Sequence, residues 1–155
     1  MLPGRKTILQ AALYVAIVSV LALVLLDRLQ PYLAIAERSA MEVTLSNARS
    51  GLHLRLAYER MKGVLSRERQ WDGGNPFSLA QVKAQNYVGE LDDEQTVPPG
   101  MWAFNRQTGE LVYRPKYPRG LMLSDGESLL RFRLNVSGAA GVPQLVAVAS
   151  YTWEP

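Results

Sequence analysis

From Thr7 to Leu26 the chain reads TILQAALYVAIVSVLALVLL, twenty residues without a charge. At about 1.5 Å per residue this run spans the ~30 Å hydrocarbon core of a bilayer. The pattern then changes. Beyond Pro31, Leu33, Ala36, Ala40 and Val43, and then Met41, Leu45, Ala48, Leu52 and Leu56, recur at three- and four-residue steps among Glu37, Arg38, Glu42, Asn47, Arg49 and His53. That is an amphipathic helical stripe. An interior proline costs a helix about 3 kcal/mol, which bends it more often than it ends it when packing continues on the far side. One helix kinked at Pro31 and running to about Arg69 is therefore expected, with Gly51 and Gly63 as weak points and WDGGNPF (71–77) as its stop.

The remaining residues change period from helical to strand-like. Residues 78–100 hold Gly, Pro, Asn and Asp without a sustained period and read as a surface connection. MWAFN (101–105) and ELVYR (110–114) flank RQTG, where Gly109 suits the positive φ of a hairpin. LRFRLNV (130–136) alternates strictly, with Leu130, Phe132, Leu134 and Val136 on one face, and LVAVASYTW (145–153) is expected to pair with it through SGAAG. The expected fold class is α+β, with the amphipathic helix covering a small four-stranded antiparallel sheet. Its parts are 1–27 (cytoplasmic start and transmembrane helix), 28–70 (exterior half of the helix) and 71–155 (connection and sheet).

Charge orients the anchor. Arg5 and Lys6 precede the apolar run, all 14 acidic residues follow it, and Asp27 and Arg28 balance each other at its far end. The positive-inside rule then places the amino terminus in the cytoplasm and residues 27–155 outside. A cleaved signal sequence, with AIA (34–36) as its site, fits less well, because the apolar run exceeds the usual 7–15 residues. The exterior carries 15 basic against 14 acidic residues, too balanced for a nucleic-acid face, although Arg106, Tyr113, Arg114, Lys116, Tyr117 and Arg119 interleave aromatic and basic side chains. With no cysteine there is no thiolate metal site, Cys nucleophile or disulfide.

The outline and the segments YVAIVSVLALVLL, AERSAMEVTLSNARSGL, GNPF, NYVGEL and PPGMWAFNRQTGELVYRP resemble type IV pilins and type II secretion pseudopilins. The resemblance implies a bacterial inner-membrane protein with a periplasmic domain. It implies contact with other pilins or pseudopilins and inner-membrane assembly proteins, and no reaction. In that family a basic leader and a Gly precede the processed terminus, and a Glu stands at the fifth mature position. Here Gly4 is the one candidate processing site, its basic residues follow it, and no acidic residue occurs before Asp27. An unprocessed accessory protein is expected, with a processed minor pilin as the alternative.

Gln10, Ala12, Ala16 and Ser19 are the candidate contacts for a partner helix in the membrane, since small side chains permit close approach and a polar one can bond across. No cofactor is expected. The runs ELDDE (90–94) and SDGE (124–127) offer oxygen ligands of the kind calcium takes, and major pseudopilins use a loop site of that sort. Neither run follows the EF-hand spacing, so both are read as solvated loops. His53, the single histidine, has no nucleophile at motif spacing and reads as a solvated helix residue. A membrane-anchored enzyme or ligand-binding protein is the rival from another class.

Overall fold

The computed structural model describes residues 5–63, 68–137 and 141–154. Its dominant element is α1 (Arg5–Met61), a 57-residue helix that passes through Pro31 without interruption. Every side chain from Leu9 to Leu26 is exposed, and the most apolar window of this helix has a mean hydropathy of 2.5. Further on, only one stripe is buried: Ala34, Met41, Leu45, Ala48, Leu52 and Leu56. Of the two apolar series in the sequence it is the second that meets the core, while Leu33 and Val43 stay exposed.

The helix ends earlier than expected, at Met61 and not near Arg69. Gly63 takes φ +72 and donates its N–H to the Arg60 carbonyl, while Lys62 donates to Tyr58. Glycine adopts this left-handed conformation without a Cβ clash, which is why a helix stops there. After a turn of 3₁₀ helix (Glu68–Trp71), Asn75 caps the short helix α2 (Pro76–Ala80) by accepting from the N–H groups of Phe77 and Ser78. Gly51 of α1 is where α2 crosses: a Cβ built there would lie 2.8 Å from the Ala80 carbonyl oxygen.

The strands are β1 (Tyr87–Leu91), β2 (Met101–Asn105), β3 (Glu110–Arg114), β4 (Leu121–Leu123), β5 (Leu130–Ser137), β6 (Val142–Ala147) and β7 (Tyr151–Trp153). The β2–β3 hairpin closes as expected, with Gly109 at φ +69. Strands β2, β3, β5 and β6 are successive antiparallel neighbours, but the four-stranded sheet needs correction. A fifth strand, β1, lies parallel to β2 at the edge and makes the sheet mixed, in the order β1-β2-β3-β5-β6. Residues 78–100 are thus more than a connection. Residues 145–153 are also not one strand: β6 stops at Ala147, and β7 leaves to pair with β4 in a separate two-stranded sheet.

The helix stripe packs on Trp102, Leu111, Tyr113, Phe132, Leu134, Leu145 and Trp153. The alternation of β5 holds, with Phe132 and Leu134 buried and Arg133 exposed. Aromatic rings continue this layer from α2 into the sheet, Phe77 lying 5.6 Å from Trp102, which lies 4.6 Å from Tyr113. On the other face Ala103 and Val112 are buried too, as are Val97 and Leu129 from the flanking loops. Gly51→Ala is expected to destabilise the exterior domain by about 1–3 kcal/mol by forcing α2 off α1, despite alanine's higher helix propensity. Ser46→Ala on the exposed side should be neutral or slightly stabilising, and thermal melts of the full chain in detergent compare the two.

Candidate functional site

The helix α1 presents two distinct surfaces. The first is the fully exposed apolar half. At 100° per residue, Ala12, Ala16 and Ser19 share one face, at four- and three-residue steps, whereas Gln10 lies on the opposite side. The structure therefore joins three of the four expected contact residues and separates the fourth. The Ser19 hydroxyl donates to the Val15 carbonyl at 2.8 Å, so its polar group is satisfied within its own helix. A shallow groove of about 300 Å³ lined by Ala16, Ile17, Val20 and Leu21 lies to one side of this face and touches it at Ala16. Gly4 lies outside the described residues.

The second surface is the seam where the exterior half of α1 grips the sheet, and its polar fasteners were not foreseen. The Glu37 carboxylate accepts from the Tyr113 hydroxyl at 2.7 Å, the Lys116 N–H at 2.7 Å and the Tyr117 N–H at 2.6 Å. It thereby holds the end of β3 and the turn that follows it. Arg38 donates to the Trp153 carbonyl, Arg49 to that of Leu145 and Arg55 to that of Leu79. The charged residues bordering the apolar stripe thus fasten the ends and edges of the layer below. Their sequence signal is position alone: Arg49 and Arg55 each stand one residue from the stripe, and Glu37 and Arg38 lie between Ala34 and Met41. Burial raises the Tyr113 hydroxyl pKa far above its usual value, and the Glu37 hydrogen bond and charge add to it.

The two acidic runs also meet, around an arginine. Arg131 lies 2.9 Å from Glu94 and 3.8 Å from both Asp125 and Glu127. Glu94 further accepts from Asn105, Asp92 pairs with Arg106 at 2.8 Å, and Asp93 caps its own turn through the Gln95 N–H. A polar depression of about 580 Å³ opens here. Among the described residues no group of three or more His, Cys, Asp or Glu is gathered as a metal cage.

The interleaved aromatic and basic residues do not form one platform. Tyr113 is buried under α1, Arg106 is engaged by Asp92, Arg114 donates to the Gln95 carbonyl, and Lys116 lies over Tyr117. His53 is exposed. Comparison with family models, with curated proteins and with solved structures finds no match to this chain.

Glu37→Ala leaves a buried hydroxyl and two N–H groups without their acceptor and is expected to cost about 2–3 kcal/mol in chemical denaturation of the full chain. Because folding raises the Tyr113 pKa, its stabilisation is complete below about pH 10 and is lost as pH climbs toward the folded value. Tyr113→Phe should therefore reduce the alkaline loss of stability. Tyr87 and Tyr151, both raised mainly by burial, retain their share.

Proposed function

We propose that this chain is a single-pass protein of a bacterial inner membrane, its amino terminus in the cytoplasm and its pilin-like domain in the periplasm. It acts by protein contact in the assembly of a type IV pilus or a type II secretion pseudopilus. Biogenesis of a mannose-sensitive haemagglutinin type of pilus is the specific candidate. The carrying observation is α1: one uninterrupted helix, Arg5–Met61, exposed and apolar from Leu9 to Leu26 and roofing a sheet with its second half. A helix is the one single-segment structure that satisfies its own backbone in lipid, and continuing it outward gives the domain a fixed position relative to the bilayer.

In this reading a fixed bend at Pro31 sets the angle of the membrane half, the helix staying continuous, while Glu37 and the stripe keep their hold on the sheet. Arg5 and Lys6 stay on the cytoplasmic side. The face of Ala12, Ala16 and Ser19 meets helices of pilin or pseudopilin subunits, and the exterior sheet meets inner-membrane assembly proteins or other subunits. No reaction and no cofactor is assigned to the chain.

The absence of cysteine makes the test direct. Single cysteines at Ala12, Ala16 and Ser19, in native membranes containing the assembly machine, should cross-link to a pilin-like chain carrying its own cysteine in its membrane helix. No such adduct at any of the three positions would contradict the reading. The amino-terminal mass separates its two forms: an intact Met1 end marks a resident assembly factor, and a chain beginning at Arg5 or Lys6 with a modified amine marks a processed minor pilin.

A further inference from the structure

Beyond the apolar half, α1 carries a second periodicity besides its buried stripe. The buried stripe occupies one side. On the opposite side the chain keeps an unbroken seven-residue repeat: Leu33, Ala40, Asn47, Leu54 and Met61 at its first position, and Leu29, Ala36, Val43, Ser50 and Ala57 at its fourth. All ten are exposed, Val43 at 59%, Leu54 at 74% and Met61 at 87%. None is charged, although charged residues are frequent from Asp27 to Lys62. Glu37 and Arg60 fall at positions bordering the seam, and Glu42, Arg49 and Lys62 fall away from it.

A repeat of alternating four- and three-residue steps that holds no charge, with Leu, Val or Met at five of its ten positions, has the spacing of a coiled-coil seam. Its length and its lack of charge ask for a helix of the same kind. We infer that the chain forms a parallel, in-register homodimer through this exterior seam, with Asn47 facing Asn47 of the second copy. The inference rests on the membrane reading for its orientation. Two copies anchored at one depth run parallel, and like positions meet without any charge clash. A single Asn at the first heptad position finds its partner only in such a register and is left unpaired in a staggered one. Ala36, Ala40, Ser50 and Ala57 let the two backbones approach closely. The sheets lie on the far sides of the pair, and a groove of about 520 Å³ bordered by Val43, Asn47, Lys83 and Gln85 flanks the seam.

Single-cysteine variants of the full chain in membranes test this by mild oxidation. Val43→Cys and Leu54→Cys should each give a species of twice the chain mass, and Glu42→Cys, off the seam, should not. Adding Asn47→Lys to Val43→Cys sets two ammonium groups against each other and should lower the cross-linked fraction at least tenfold. The inference is overturned if Val43→Cys gives no self-linked species, if it links only to a different chain, or if Asn47→Lys changes nothing. Recovery of the chain outside the membrane fraction would instead sink the anchor reading, and the cross-link pattern of that material would decide the seam on its own.

Discussion

The exterior domain depends on burying one face of one helix. Met41, Leu45, Ala48, Leu52 and Leu56 are almost fully withdrawn from solvent against Trp102, Phe132, Leu134 and Leu145. At about 1.5–3 kcal/mol for each large apolar side chain, this contact outweighs any single hydrogen bond in the molecule. Among the described residues α1 is the main cover on that side, with Phe77 of α2 beside it, so without the stripe most of the aromatic layer would face water. The polar fasteners act on what the stripe has already brought together. Glu37 receives Tyr113 and two backbone N–H groups, and Arg38, Arg49 and Arg55 each take a carbonyl from the layer beneath.

The same helix faces a different demand before Pro31. There every side chain is exposed and none is charged from Leu9 to Leu26, a composition that suits a solvent of hydrocarbon. In the proposed function the two demands explain each other. A helix that enters the bilayer must satisfy its backbone internally, and the part that emerges is already built to cover a sheet. Pro31 sits between them, where losing one backbone hydrogen bond costs about 3 kcal/mol, comparable to burying one large stripe residue.

Much of this is legible in the sequence where the pattern is local. The strict alternation of β5, the hairpin around Gly109 and the four- and three-residue steps of the stripe each name their element from neighbouring residues alone. What depends on distant residues is not legible. Strand β1 is short, carries Gly89 at φ +105 and a register shift, and gains its identity only by pairing parallel with β2. Strand β7 reads as the end of β6 until β4 draws it away. The acidic runs look like loop ligands because nothing local announces that Arg131, about 40 residues from one of them, will stand between them. On the membrane half, helical spacing alone puts Ala12, Ala16 and Ser19 together, and the same spacing sets Gln10 apart.

Continuity of α1 across the boundary of the apolar segment is the claim on which both the fold and the proposed function turn. The most direct measurement is the distance between spin labels at Val24→Cys and Glu42→Cys in the full chain, diluted with unlabelled protein in a bilayer. An unbroken helix spaces these eighteen residues by about 27 Å, with a narrow distribution. A broad distribution, or a mean far shorter, would show a hinge at Pro31 and two independent helices, contradicting the account.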